Sequence, residues 1–210
     1  MNNRWNKMIY KLWGNVYDQF FNSGKFLKAR KQIFGKGIFE GDHQSILFVG
    51  VGTGADLELI DLNKFDITGI DYSKAMLDKA REKFKNSSVE FLNMDAQNMD
   101  FPDHQFDLVV ASLILSVVPD EDKCLKEMER VLKPNGEILI FDKFSPKGKK
   151  LSILKRVLRP VIQLLGTDIG RDFEKLYENH NENLSIKEDI PILFNGMYRK
   201  IVLLKTKTQC

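Results

Sequence analysis

Gly50-Val51-Gly52-Thr53-Gly54 and Asp71 are the residues whose types and spacing could do chemistry. Three glycines at every second position let the backbone pass close to a ligand, because no Cβ stands in the way. An acid about 20 residues past the first glycine, at the end of the next strand, can accept from both hydroxyls of a ribose. A glycine turn alone often only closes a loop. A strand-end Asp alone is often a turn residue or a helix cap. Together, at this spacing, they describe half of a nucleoside-binding βαβ unit.

Elements of the right kind stand on either side to position them. Residues 46–49, Ile-Leu-Phe-Val, have the composition of a buried strand. The pattern predicts a helix over 55–62, whose free N–H groups would face the same ligand, and a second strand over 66–70. Ser73 is placed as the N-cap of a helix to about Lys85, with Met76, Leu77, Ala80 and Phe84 on its apolar face. A third strand over 89–92 leads to Asp95-Ala96, and a fourth over 106–112 is continuously apolar, as in a parallel strand buried on both faces. A helix over 119–132 ends at Pro134-Asn135-Gly136, and a fifth strand over 137–141 leads to Asp142. Residues 184–192 and 198–205 read as a terminal hairpin across Asn195-Gly196. Strands alternating with helices predict an α/β class: a doubly wound, mostly parallel seven-stranded sheet, Rossmann-like, with an antiparallel C-terminal strand. Gly50 to Gly54, Asp71, Asp95-Ala96, Ala111-Ser112 and Asp142 would all fall at the carboxyl ends of its strands, where such sheets bind ligands.

The 210 residues are read as one domain: lid helices over 1–39, a ligand-binding core over 45–142, a helical insertion over 143–180 and a hairpin over 183–207. No apolar run is long enough to span a bilayer, and the first residues lack the apolar stretch of a secretory signal. Cys124 and Cys210 lack redox or metal spacing and are expected to be free thiols in a reducing cytoplasm. His43, His104 and His180 form no ligand cluster, so no metal is expected. The formal charge of +3 conceals an asymmetry. Residues 1–39 and 143–166 hold 15 of the 32 basic residues and one of the 29 acids, leaving a body of net −11. Both stretches carry apolar stripes at helical spacing: Trp5, Leu12, Trp13 and Phe20 in the first, Leu151, Leu154, Leu158 and Leu165 in the second. Each can be a helix packed over the ligand cleft or a helix lying on an anionic membrane. The expected location is therefore the cytoplasm, with peripheral contact at the inner face of the membrane.

With these elements in place, the chain resembles the class I S-adenosylmethionine-dependent methyltransferases. The resemblance rests on Val49-Gly50-Val51-Gly52-Thr53-Gly54, on Gly69-Ile70-Asp71-Tyr72-Ser73 with Met76-Leu77, on Asp95-Ala96 with Phe101-Pro102 and Phe106-Asp107, and on Leu132-Lys133-Pro134-Asn135-Gly136-Glu137. Within that class it is most similar to the bacterial phosphatidylethanolamine N-methyltransferases, with the quinone-biosynthesis methyltransferases second. Tyr17-Asp18, the valine at position 51 and Leu115-Ser116-Val117-Val118-Pro119-Asp120 carry that closer likeness.

The resemblance implies S-adenosylmethionine as cofactor. Gly50, Val51, Gly52, Thr53 and Gly54 would meet its methionine and ribose, Asp71 the ribose hydroxyls, Tyr72 and Met76 the adenine, and Asp95 and Ala96 the adenine amino group. Ala111 and Ser112 would line the methyl-donor end, with Tyr17 coming down from the lid. Asp142 and Tyr17 are the candidates for orienting the acceptor or taking its proton. One position departs from the family: Phe48 stands where the class usually has an acid that helps hold the cofactor's amino group. The expected acceptor is a phospholipid headgroup amine; the alternatives are a soluble small molecule or a quinone precursor. Nucleic-acid methylation is not expected, since Ser112-Leu113-Ile114-Leu115 lacks the Pro-Pro-aromatic run of enzymes that methylate exocyclic amines. Gly50, Gly52 and Ala55 also fit a dinucleotide pattern, which keeps an NAD-dependent oxidoreductase open. The oligomeric state is not encoded in any of these motifs.

Overall fold

In the computed structural model, which describes residues 23–35, 39, 45–145 and 170–206, the apolar run 46–49 lies inside a seven-stranded sheet. Its strands are β1 (Ser45–Val49), β2 (Asp66–Asp71), β3 (Glu90–Asn93), β4 (Phe106–Ser112), β5 (Leu132–Lys143), β6 (Leu184–Leu193) and β7 (Tyr198–Lys205). Their spatial order is β3-β2-β1-β4-β5-β7-β6. The first five run parallel; β7 is antiparallel to both β5 and β6. The chain moves outward from β1 to β3, then returns to the other side of β1 as β4. That reversal opens a crevice at the carboxyl ends of β1 and β4.

Alternation along each strand sends side chains to two cores. On one face α1 (Gly24–Phe34) and α2 (Lys74–Lys83) bury Phe26, Ile33, Phe34, Leu77 and Ala80 against Ile46, Phe48 and Phe141. On the other, α3 (Glu121–Val131) and α4 (Phe173–Glu178) bury Cys124, Leu125, Met128, Phe173 and Leu176 against Leu47, Val49 and Ile140. Asp120 starts α3 by accepting from Lys123 N at 3.1 Å, and Glu121 and Asp122 in the first turn suit the positive end of the helix.

Three local expectations are corrected. The helix predicted over 55–62 is replaced by two single 3₁₀ turns, Leu57–Leu59 and Leu62–Lys64, with Ile60 extended between them. Asp56 is drawn into an ion pair with Arg30 of α1 at 2.6 Å, and Asp61 accepts from Asn63 N at 3.2 Å. These side-chain bonds compete with helix propagation in a segment too short to sustain it. The segment therefore directs no long-helix dipole at the glycine turn. The fifth strand begins at Leu132, not 137, because residues 133–136 form a bulge between the pairs Phe106↔Leu132 and Leu108↔Glu137. Pro134, which lacks an N–H, sits inside that bulge. The hairpin loop is also longer than the Asn-Gly dipeptide: Leu193 pairs with Tyr198, so residues 194–197 make the turn. The amphipathic stretch with Tyr17, the basic insertion over 146–169 and Cys210 lie outside the described residues.

One ion pair fixes the start of β1. Asp107 accepts from Ser45 N at 2.9 Å, Ser45 Oγ at 2.8 Å and Lys133 Nζ at 2.8 Å. Burial pushes its carboxyl up, but these donors outweigh burial and hold it at about 2. A depressed carboxyl stabilises the fold fully above the ordinary value of 3.8 and loses that contribution as pH falls towards 2. The urea midpoint of Asp107→Asn should therefore lie below that of the parent at pH 6. The gap should close between about pH 4 and pH 2. A gap unchanged across that range would remove the ion pair from this role.

Candidate active site

Parallel register brings the predicted residues to one edge. Val49 pairs with Ile70 and with Ala111, Asp71 with Asn93, and Ser112 with Phe141. Gly50, Asp71, Asp95, Ser112 and Asp142 consequently follow or end adjacent strands at the carboxyl side of the sheet.

The glycine turn is held by the backbone of β2: Gly50 N and Val51 N both donate to Ile70 O, at 2.8 and 2.9 Å. Gly50, Gly52 and Gly54 have φ of +71°, +56° and +76°. They are not equivalent. A Cβ on Gly50 would stand 2.6 Å from Ile114 Cδ1, and one on Gly54 would stand 2.4 Å from Phe84 Cε2. A Cβ on Gly52 would meet nothing within 4 Å. The expectation that all three glycines make room for a ligand is therefore corrected: two make room for side chains of this chain, and of the three Gly52 alone faces open space. Val51 packs against the backbone of β2, within 3.1 Å of where a Cβ on Gly69 would lie, and Thr53 is buried.

Asp71 faces that space from the next strand. Its Oδ2 accepts from Gly52 N at 2.9 Å and its Oδ1 from Ser73 N at 2.7 Å. Each oxygen keeps a second lone pair for a ligand hydroxyl. Burial pushes the carboxyl above its ordinary range, opposed by those two N–H groups. Tyr72 is 42% exposed beside it, whereas Met76 is buried. Asp95 Oδ1 accepts from Gln97 N and Gln97 Nε2, both at 2.9 Å, and Gln97 Oε1 accepts from Asp120 N at 3.0 Å. Ala96 is buried. A ribose-sized group over Gly52, held by Asp71 with Tyr72 alongside and Asp95 one strand further, fits the residues present.

Beyond Ser112 the chain forms a wall pinned at several points. Leu113, at φ +58°, donates its N–H to Phe141 O at 2.8 Å. Ile114 lies against Gly50. Ser116 N donates to Asp142 Oδ2 at 3.1 Å, and Arg171 Nη2 to Val118 O at 2.7 Å. Asp142 has no exposed surface, and its Oδ1 accepts from Lys143 N at 2.7 Å. Burial pushes its carboxyl up, with the Ser116 side chain opposing. The structure thus gives Asp142 the work of holding the wall, with no surface left to meet an acceptor. Ala111 is also corrected: its methyl is buried in the core facing α3, so Ser112 and Leu113 supply the wall. Phe48 is buried in the α1-side core, away from the open edge. Burial, with Asp95 and Asp142 nearby, pushes the Cys124 thiol up, so it is no nucleophile.

Ile114, Phe84, Gln97 and the Arg30–Asp56 pair were missed in the sequence. The apolar Leu113-Ile114-Leu115 following a strand was the signal for the first; nothing local marks the others.

Residues 47–140 match the model of the methyltransferase domain family. The chain is 32% identical over 193 residues to a phosphatidylethanolamine N-methyltransferase of Cereibacter sphaeroides, covering 90% of this chain and 92% of that protein. It is 34% identical over 118 residues to a demethylmenaquinone methyltransferase of Listeria welshimeri, covering 55% of this chain and 49% of that protein. The fold matches that of the N-methyltransferase NodS of Bradyrhizobium japonicum, solved with S-adenosyl-L-homocysteine, at a TM-score of 0.69 and 15% identity, covering 90% of this chain and 91% of that one.

Proposed function

We propose that this chain, which belongs to the S-adenosylmethionine-dependent methyltransferases, transfers its methyl group to a phospholipid headgroup amine. The carrying observation is the extent of likeness. The relationship to a phosphatidylethanolamine N-methyltransferase runs along nearly the whole of both chains, whereas that to a demethylmenaquinone methyltransferase stops at about half. The two basic stretches over 1–39 and 143–166 suit an acceptor that stays in an anionic membrane. Family membership sets aside the oxidoreductase alternative.

Bound S-adenosylmethionine supplies a methyl on a sulfonium, electrophilic enough to be displaced in line by a neutral amine. The protein's task is alignment and exclusion of water. Gly52 leaves room for the donor and Asp71 accepts from its ribose. Tyr72 lies along its adenine, and Asp95, fixed by Gln97, accepts from the adenine amino group. Ser112 and Leu113 border the reacting end, and Ile114 closes the gap between that wall and the glycine turn. An amine that has lost its proton to solvent needs no base from the protein, so no catalytic acid or base is assigned.

The test is transfer of labelled methyl from S-adenosylmethionine to vesicles of phosphatidylethanolamine, with phosphatidylcholine vesicles and a demethylated quinone as separate acceptors. Label is expected in methylated phosphatidylethanolamine. The second reading, a quinone precursor, is favoured by the 34% identity across the cofactor-binding half. Label in the quinone alone would establish it and end the headgroup reading.

A further inference from the structure

We infer that the hairpin tip at Phe194 and the outer face of α1 form one docking surface for an anionic lipid bilayer, with Phe194 as the inserted side chain. This rests on the phospholipid reading above and adds the described residues that would bring the site to its substrate.

Three observations meet there. The first is Phe194 itself. It is 53% exposed, the most exposed large apolar side chain among the described residues, and its φ is +51°. Asn or Gly suits that backbone conformation, and a bulky apolar residue does not. A phenylalanine placed against both local preferences and left in solvent calls for a partner that covers it. Ile190, 42% exposed on the edge strand β6, pairs across with Lys200 and extends the apolar surface.

The second is charge. Lys25, Lys28 and Lys31 are exposed and recur at i, i+3 and i+6, so they form one stripe along α1. Among the described residues none of them has an acidic partner. α1 has no acid in its first turn, where Lys25 faces the unfavourable end of the helix dipole. A cation held there is satisfied by an external anion.

The third is place. Tyr198 pairs with Lys143 at the carboxyl end of β5, so the 194–197 turn stands at the edge that carries the cofactor-binding residues. Phe26 joins the two parts, with ring centroids 5.9 Å from Phe194 and 5.2 Å from Tyr198. The lysine stripe starts one residue before it. An apolar ring set among cations matches an interface of acyl chains beneath anionic headgroups. Nucleic acid would use the lysines but has no use for a protruding phenylalanine on an edge strand turn.

The experiment is co-sedimentation of the full chain with vesicles of phosphatidylcholine alone or mixed with phosphatidylglycerol, for the parent, Phe194→Asn, and Lys25→Gln/Lys28→Gln/Lys31→Gln. Asparagine is at home at positive φ, so Phe194→Asn should keep or raise the unfolding temperature. It should weaken binding to the mixed vesicles about tenfold. The triple variant should lose about fivefold per lysine and most of its salt dependence. S-adenosylmethionine binding, and methyl transfer to detergent-dispersed headgroup lipid, should not change in either variant. Parent protein indifferent to phosphatidylglycerol, Phe194→Asn bound as well as the parent, or vesicle-independent RNA binding lost in the triple variant would each overturn the inference. So would equal loss of detergent activity in Phe194→Asn, which would make Phe194 a wall of the acceptor cleft. If vesicles bind as stated and no headgroup amine accepts methyl, the acceptor reading fails and the surface stands.

Discussion

Asp71→Ala is expected to weaken S-adenosylmethionine binding by about a hundredfold. The carboxylate does two things at once. It holds the N–H groups of Gly52 and Ser73, which fixes the turn that faces the donor, and it keeps a lone pair on each oxygen for the ribose. Hydrogen bonds to a charged group are worth about 1.5–3 kcal/mol each, so losing the pair of ligand contacts accounts for the factor. Asp71→Asn should lose about tenfold, since the amide retains one acceptor and turns its NH₂ on a backbone donor. Calorimetric titration measures both, and an Asp71→Ala protein that binds as tightly as the parent would move the adenosyl group away from this edge.

The pH dependence carries a sign that separates Asp71 from Asp107. Burial raises the Asp71 carboxyl, so donor affinity should begin to fall at a higher pH than an ordinary carboxylate would dictate. The same shift means that the folded chain takes up this proton more readily than the unfolded one. The contribution of Asp71 to stability therefore grows as pH falls through its raised value, while that of Asp107 shrinks.

The three glycines should separate binding from stability. Gly52→Ala meets no side chain, so it should fold with only the cost of a Cβ at positive φ, about 1–2 kcal/mol. Its added methyl would occupy the donor's space, and binding should fall below detection. Gly50→Ala and Gly54→Ala carry the same conformational cost plus a collision with Ile114 or Phe84, which adds about 1–3 kcal/mol of overpacking. Their unfolding temperatures should drop by much more than that of Gly52→Ala. Ile114→Ala should restore part of the loss in the Gly50→Ala background and none in the Gly52→Ala background. Thermal unfolding with and without S-adenosylmethionine reads both effects. Equal destabilisation by all three alanines would contradict the distinction.

Strands and the acid-bearing edge were legible in the sequence because they depend on local composition. Residues 46–49 and 106–112 are apolar runs that only a strand buried on both faces can use, and parallel pairing then brings the residues just past their carboxyl ends into line. The roles within the edge were not legible, because they depend on side chains far apart in sequence. Nothing near Gly50 announces Ile114, and nothing near Asp56 announces Arg30. The helix predicted over 55–62 failed for the same reason, since a partner on α1 took the acid that would have begun it. Asp142 looked reactive as a strand-end acid, yet its surroundings turn it into a tether for Ser116 and Lys143. Phe48 is explained by neighbours alone: an apolar core on the α1 face accepts it.

β7 slots between β5 and β6, although it follows both in the chain. During synthesis the ribosome must therefore release residues 198–205 before the open side of β5 can be sealed. Until then a nascent protein would present an unpaired, strongly apolar ribbon to its surroundings. Premature stops ahead of Tyr198 should accordingly yield clumped, chaperone-bound material and not a weaker enzyme.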